Sequence, residues 1–121
     1  MTPGSMTAQN CLFCRIVDRQ VPSHLIYESD LAVGFTDIKP QAPVHALFVP
    51  KRHVHDIQET GPADEASLLE LIRAAKKAAK DLGVAESGYR LVINCREDGG
   101  QTVDHLHMHL LGGRRMTWPP G

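Results

Sequence analysis

A chain of 121 residues, of which 42% are hydrophobic, is long enough to form one domain with its own core. The formal net charge of −1 at pH 7 gives no electrostatic basis for binding nucleic acid or an anionic membrane surface. Three cysteines without a recognisable secretion signal favour a reducing compartment, and no stretch has the length and hydrophobicity of a transmembrane helix. We therefore expect a cytoplasmic protein.

The first ten residues show no hydrophobic periodicity, and we expect residues 1–10 to form a disordered tail. Within it, residues 1–6 are typical of a vector remnant that precedes a second start methionine, Met6. Asn10 is a candidate N-cap for a short helix over residues 11–17, whose apolar side chains form one stripe. A single domain is expected over residues 11–121.

The middle of the chain predicts four strands and one long helix. Residues 25–27 and 31–35 read as a hairpin, and the almost continuously apolar residues 44–49 predict a central strand. Apolar residues recur at helical spacing over residues 62–82, where Pro62 suits the first turn and Gly83 the end. Residues 89–94 form the next strand. The pattern predicts an α+β domain with a five-stranded, mainly antiparallel sheet, one long helix and one short helix.

Histidines alternate with apolar residues over residues 104–111. Successive side chains of a β-strand point to opposite faces, so a strand would place all three imidazoles on one face and the apolar residues in the core. The histidines are His105, His107 and His109, and the apolar residues between them are Leu106, Met108 and Leu110. Aligned imidazoles can attack an electrophile, carry protons or bind a metal.

Two features of this stretch favour phosphate chemistry over a catalytic zinc held by the three histidines. The third imidazole of a strand lies about 13 Å from the first by strand rise, which is unfavourable for one shared metal. Directly before the histidines, the Gly99–Gly100 pair allows a turn whose backbone N–H groups can approach an anion. Gln101 and Thr102 add side-chain donors that could stabilise charge on a phosphoryl oxygen.

The sequence over residues 100–111 resembles the signature of the histidine-triad (HIT) superfamily, His-x-His-x-His with apolar residues at x. Further stretches resemble its Hint branch, the histidine triad nucleotide-binding proteins. They are Asp37-Ile-x-Pro-Gln-Ala-Pro-x-His45, Pro50-Lys-x-His53, Asn94, and the ending Leu111-Gly-Gly-Arg-x-Met-x-Trp-Pro-Pro-Gly121. The resemblance covers residues 11–121.

This resemblance implies the HIT fold and a homodimer in which one sheet continues across both copies, with the tail around Trp118 reaching the partner's active site. It implies binding of purine nucleoside monophosphates. It also implies hydrolysis of the P–N bond of nucleoside 5′-phosphoramidates, such as adenosine 5′-phosphoramidate, and of aminoacyl-adenylate-like substrates, with release of AMP.

The resemblance further implies a role for each matching residue. His107 would be the nucleophile that forms a nucleotidyl-histidine intermediate, and His109 would contact the phosphate and help to protonate the leaving amine, with His45 and His105 in support. Asp37 would accept the ribose hydroxyls. The base pocket would contain Phe13, Ile16, Phe35 and Ile38, and the other nucleotide contacts would come from Asn94, Gly100, Gln101, Thr102 and Met108.

A Cys11-x-x-Cys14 pair leaves a metal question open. In some members of the superfamily such a pair binds a structural zinc with two histidines, whose positions His53 and His105 match here, and His55 is a possible substitute ligand. The alternative is two small apolar residues on a short helix. No cofactor is expected for catalysis itself.

Two alternative functions remain beside the phosphoramidase. The chain could be a nucleotide-binding regulatory or scaffold protein whose hydrolysis is incidental, since the binding and catalytic residues would be the same. It could also hydrolyse dinucleoside polyphosphates, although the Trp118-Pro-Pro-Gly tail disfavours this by its resemblance to the Hint branch.

Overall fold

The computed structural model describes residues 11–121. The predicted tail over residues 1–10, the vector-derived segment over residues 1–6 and the Asn10 cap lie outside the described residues. Helix α1 (Leu12–Val17) has Cys11 as its N-cap, and the Sγ atom of Cys11 accepts a hydrogen bond from the backbone N–H of Cys14 at 3.3 Å. The helix therefore starts with a thiol as its capping group.

Five strands form one antiparallel sheet in the order β1-β2-β3-β5-β4, which confirms the predicted α+β fold class. The central strand is β3, as its apolar sequence predicted, and β4 lies at one edge. The strands are β1 (Leu25–Glu28), β2 (Ala32–Thr36), β3 (Val44–Pro50), β4 (Tyr89–Val92) and β5 (Met108–Gly112). The predicted strand over residues 89–94 thus ends two residues early.

Two short 3₁₀ turns, Ile57–Glu59 and Pro62–Asp64, precede the long helix α2 (Glu65–Asp81). The Asp64 carboxylate accepts the backbone N–H of Gly61 at 3.0 Å and so closes the second 3₁₀ turn before α2 begins. The predicted turn before the histidines contains a further short helix, α3 (Arg96–Gly99), which ends at Gly100 with a φ of 77°. Among the described residues, no helix has the length and hydrophobicity needed to cross a membrane.

Each face of the sheet has its own core. On one face α2 contributes Leu71 and several buried alanines, which pack with Phe48, Met108 and Leu110. On the other face α1 contributes Cys14 and Ile16 to a cluster with Phe35 and Leu47. Opposite residues of an antiparallel pair share a face, so the pairing of Leu47 with His109 places His109 on the α1 face. The face of the sheet that α1 covers is therefore the face on which the His109 side chain lies.

The histidine stretch is a strand only in its second half. Strand β5 begins at Met108, while the backbone N–H of Leu106 donates to the carbonyl oxygen of Val54 at 2.8 Å instead of joining the sheet. Because His105 and His107 both precede β5, the prediction that one strand carries all three imidazoles on one face was wrong. The apolar residues Leu106, Met108 and Leu110 are buried, as the alternation predicted.

Candidate functional site

A cavity of about 230 Å³ opens on the α1 face of the sheet. Phe13 and Ile16 of α1 form one wall with Phe35 of β2, and the cavity extends to Asp37 and to the exposed Ile38. His107 and His109 border the same cavity. It is lined by Leu12, Phe13, Ile16, Val21, Pro22, Ser23, Phe35, Thr36, Asp37, Ile38, Leu47, Thr102, Val103, His107 and His109.

The buried ring of His107 has one nitrogen fixed and one free. Its Nδ1 atom lies 2.7 Å from the carbonyl oxygen of His105, and because a carbonyl can only accept, Nδ1 carries the hydrogen. The Nε2 atom then has the lone pair. The edge-on ring of Phe13, at 5.0 Å between centroids, limits rotation, and burial lowers the pKa of His107. His107 therefore presents a neutral, nucleophilic nitrogen.

A hydrogen-bonded series fixes the ring of His109 from behind. The backbone N–H of Gln41 donates to Nδ1 of His45 at 3.0 Å, so the hydrogen of His45 is on Nε2. That atom lies 2.9 Å from Nδ1 of His109, which therefore accepts. His109 keeps its own hydrogen on Nε2. Burial lowers the pKa of His109 to about 4, with smaller contributions from His107 and His45.

Asp37 contacts this series from the end of β2. Its Oδ2 atom lies 3.5 Å from Nε2 of His45, and its Oδ1 atom accepts the backbone N–H of Lys39 at 2.8 Å. Burial lowers the pKa of His45, and the Asp37 carboxylate opposes that shift. Ligand atoms of Asp37, His45 and His109 lie within 4.8 Å of one another and could also hold a metal ion, although the hydrogen bond between the two imidazoles already explains their approach.

The loop before the histidines contributes Thr102 and Val103 to the cavity wall. The Gln101 side chain, which we predicted to hold phosphate, is turned away. Its Nε2 atom donates to the carbonyl oxygens of His55 (2.8 Å) and Val103 (2.9 Å), and its Oε1 atom accepts the N–H of Arg96 (2.8 Å). The side chain of Gln101 therefore holds the loop in shape.

Two other predicted nucleotide contacts lie away from the cavity. The side chain of Met108 is buried in the core on the α2 face, so only its backbone could approach a nucleotide. Asn94 follows β4 and borders a separate groove with Val92, Leu111 and the C-terminal tail. Because Val92 pairs with His109 across the two strands, this groove lies beside His109 on the same sheet face.

Four potential metal ligands converge at the base of α1. The Nδ1 atom of His105 lies 3.3 Å from Sγ of Cys11 and 3.4 Å from Sγ of Cys14. The Nδ1 atom of His53 lies 3.2 Å from Sγ of Cys14 and 3.2 Å from Nδ1 of His105. His55 lies outside this group and instead contacts Asp56 and Asp104.

The chemistry of the four groups fits zinc. A tetrahedral zinc with Zn–N of about 2.0–2.1 Å and Zn–S of about 2.3 Å separates two nitrogen ligands, or a nitrogen and a sulfur ligand, by about 3.3–3.6 Å, close to the distances above. Nε2 of His105 donates to the carbonyl oxygen of Pro50 at 2.9 Å, which leaves the Nδ1 lone pair for the metal. Burial, then the neighbouring Cys11, raises the pKa of the Cys14 thiol to about 12, a cost that a bound cation would reverse.

Comparison with known proteins agrees with this geometry. A family model for the HIT domain matches residues 18–116. The chain belongs to the HIT family. It is 43% identical over 107 residues to an Escherichia coli protein named purine nucleoside phosphoramidase, covering 88% of this chain and 90% of that protein.

Two solved structures extend the comparison. A HIT family hydrolase from Legionella pneumophila superposes with a TM-score of 0.90 at 47% identity, covering 93% of this chain and 100% of that one. A zinc-bound histidine triad family protein from Mycobacterium smegmatis gives a TM-score of 0.76 at 32% identity, covering 88% and 77%. The cluster of Cys11, Cys14, His53 and His105 in this HIT protein could therefore bind zinc.

Sequence reasoning missed part of the cavity wall in this HIT domain. Residues 21–23, between α1 and β1, line the cavity together with Leu12, Leu47 and Val103. The loop residues carry no periodicity, and Leu47 looks like any core residue of a central strand. Only the register of Leu47 opposite both Phe35 and His109 reveals that it lies on the cavity side.

The C-terminal tail of the HIT domain runs past the edge strand β4. The guanidinium of Arg90 donates to the carbonyl oxygen of Thr117 at 2.8 Å, and Arg114 donates to the carbonyl oxygen of Gln41 at 3.0 Å. Trp118 extends from this anchored segment with 82% of its surface exposed. A large exposed indole beside an open sheet edge is typical of a surface that contacts another chain.

Proposed function

We propose that this HIT protein is a purine nucleoside phosphoramidase, a hydrolase that cleaves the P–N bond of nucleoside 5′-phosphoramidates and releases AMP. The pairing of a free Nε2 lone pair on His107 with a donor Nε2–H on His109, beside one apolar cavity, is the observation that carries the proposal. The name of the E. coli relative supports the substrate class.

The cavity suits a purine nucleotide in one orientation. The base would lie between the apolar residues of α1 and β2, near Phe13 and Phe35, where few polar groups discriminate adenine from guanine. The ribose hydroxyls would reach the carboxylate of Asp37, which is partly buried and lines the cavity. The phosphate would then meet His107, His109 and Thr102.

In the first chemical step, Nε2 of His107 attacks the α-phosphorus and the P–N bond breaks. The negative charge of the bound phosphate favours protonation of His109 on both ring nitrogens, and the Nε2–H of His45 is then donated to the Asp37 carboxylate, which lies 3.5 Å away, instead of to His109. The leaving nitrogen takes the proton from Nε2 of His109, so the amine departs neutral. The product is a nucleotidyl-imidazole on His107.

In the second step, water attacks the phosphorus and the bond to His107 breaks. His109, neutral after the first step, takes a proton from the water, and AMP leaves. The Nε2 lone pair of His107 returns when the bond to phosphorus breaks, and the Nδ1 hydrogen stays on the ring throughout, donated to the carbonyl oxygen of His105. Each histidine thus ends the cycle in the protonation state in which it entered the substrate complex.

The proposal includes a structural zinc held by Cys11, Cys14, His53 and His105. Such an ion would supply a cross-link between α1, the segment after β3 and the segment before β5, and no part of the reaction needs it. It also includes a homodimer that joins the open edges of β4 and brings Trp118 to the partner's site, for which the exposure of Trp118 and of Leu91 is the support.

The test uses the tryptamine phosphoramidate of adenosine. The wild-type protein should release AMP and tryptamine in equal amounts, whereas His107→Ala should release neither above the buffer rate while still binding AMP. If the wild type releases no AMP, or if His107→Ala matches it, the proposed reaction is wrong. A parallel assay with a dinucleoside polyphosphate separates a P–N hydrolase from a hydrolase of polyphosphates.

A further inference from the structure

A buried carboxylate outside the cavity has no part in the chemistry described above. The side chain of Asp56 has no exposed surface, and it accepts hydrogen bonds from Nε of Arg96 (2.9 Å), the backbone N–H of Glu59 (3.0 Å) and Nδ1 of His55 (3.1 Å). A fully buried charge with this many donors is unusual in a segment that is otherwise a connection. It fixes the position of Arg96.

Arg96 has a backbone conformation that favours glycine. Its φ is +60°, a left-handed value that costs energy for a residue with a Cβ. This conformation directs the backbone N–H of Arg96 to Oε1 of Gln101 at 2.8 Å, while the carbonyl oxygen of Arg96 accepts the backbone N–H of Gln101 at 3.0 Å. The ion pair with Asp56 compensates for the strain and holds both contacts.

Gln101 passes this restraint to the cavity wall. With its Oε1 atom bound to Arg96, its NH₂ group ties the carbonyl oxygens of His55 and Val103. The next residue, Thr102, lies between these fixed points, and both Thr102 and Val103 border the cavity beside His107. The buried carboxylate, the strained backbone and the glutamine amide therefore form one continuous support for the loop that faces the phosphate.

We propose that Asp56 and Arg96 are positioning residues that hold the loop over residues 96–103 in its phosphate-binding shape before the nucleotide arrives. This inference rests on the proposed nucleotide binding at the cavity. When only a fraction of the molecules has the loop in its binding shape, the apparent affinity is the intrinsic affinity multiplied by that fraction. The phosphate of AMP, which meets the loop, should report this loss, whereas the nucleoside adenosine should not.

The first measurement follows the loop itself. Hydrogen exchange at the backbone amide of Gln101 should become about tenfold faster or more in Asp56→Asn, because the amide opens when the support is lost. Arg96→Gly is the second variant, since it removes the guanidinium while relieving the left-handed strain and so keeps the domain folded. Asp81→Asn, which breaks the exposed ion pair between Lys77 and Asp81 on α2, is the matched control.

The second measurement compares two ligands. In both variants the affinity for AMP should fall about tenfold and that for adenosine should stay within about twofold, as expected for a loop that is only fractionally ordered. Unchanged exchange at Gln101, or an unchanged ratio of AMP to adenosine affinity, overturns the positioning role. Neither readout needs turnover, so a wild-type protein that cleaves no phosphoramidate would refute the proposed reaction alone.

Discussion

The Nε2 atom of His45 lies 2.9 Å from the Nδ1 atom of His109, and this one distance orders the protons of the candidate active site. The backbone N–H of Gln41 occupies the other nitrogen of His45, so the hydrogen between the two rings belongs to His45. As a result, Nδ1 of His109 accepts a hydrogen bond and its Nε2 atom is a donor. Without His45, the ring of His109 could adopt either tautomer and could rotate.

Replacing His45 should therefore slow the reaction without abolishing nucleotide binding in the cavity. We expect His45→Ala to lower kcat by about 10²-fold, the lower end of the range for a lost general acid–base contribution, with a smaller change in KM. Steady-state kinetics on an adenosine phosphoramidate measures both constants. The exposed His24 offers a control, since His24→Ala should leave kcat unchanged. A mainly raised KM for His45→Ala would contradict the role in proton placement.

The proposed role of buried His107 as the nucleophile predicts the acid limb of the pH profile. Burial lowers the pKa of His107 below its usual value of 6.5, so its Nε2 lone pair stays available as the pH falls through 6.5. We expect kcat/KM of the wild type to reach half its plateau below pH 6.5, measured in buffers of constant ionic strength. A half-plateau pH at or above 6.5 would show that His107 titrates as a solvated imidazole.

His109 makes folding stability depend on pH in the same acidic range. Its pKa is lowered from 6.5 to about 4 in the folded protein, so the unfolded chain binds the extra proton first. The stability contributed by neutral His109 is complete above pH 6.5 and is lost progressively as the pH falls toward 4. Urea midpoints at pH 7.5 and 5.0 should differ less in His109→Gln than in the wild type. An equal difference in the two proteins would exclude this origin.

Asp37 should determine the preference for a ribose. A carboxylate that accepts from the sugar hydroxyls contributes about 1.5–3 kcal/mol as a hydrogen bond to a charged group. Wild-type protein should therefore bind AMP more tightly than 2′-deoxy-AMP, and Asp37→Ala should remove most of that difference. Calorimetry with the two nucleotides measures it, and Lys39→Ala in the same loop serves as the control.

The cysteine and histidine cluster should hold one metal ion. Protein purified without chelators should contain about one zinc per chain, and Cys14→Ser should lower that content, because the site then loses one of its two thiolate ligands. Elemental analysis measures the content. Cys95→Ser should retain the metal, since Cys95 is outside the cluster. A zinc content near zero in the wild type would refute the metal site.

The sequence predicted those parts of the molecule whose cause is local. The helical spacing of apolar residues along α2 and the unbroken apolar run of β3 led to the correct elements, since one buried face determines each of them. The same reasoning misplaced His105. Its ring binds the carbonyl oxygen of Pro50, 55 residues earlier, and no periodicity within the histidine stretch carries that information.

Gln101 shows the same limit at the candidate site. A polar side chain after a glycine pair predicts a phosphate donor, yet its amide is bound to the carbonyl of His55, which is 46 residues away in the chain. The contact depends on the left-handed backbone of Arg96, a conformation that cannot be predicted from an arginine in the sequence. The family resemblance indicated which residues belong to the site. Only the three-dimensional contacts distinguish the residues that face the cavity from the residues that support its wall.

His105 contributes to two sites: its backbone contacts the cavity histidine His107, and its side chain contacts the cysteine cluster. Its backbone carbonyl oxygen accepts a hydrogen bond from the imidazole of His107, while the Nδ1 atom of its ring faces the sulfur atoms of the cysteines. A side-chain substitution at this position leaves the main-chain oxygen in place, so it reports on metal retention and thermal tolerance more than on bond cleavage. Of the three histidines in the motif, only His107 and His109 border the cavity, and His105 connects that cavity to the cysteine cluster.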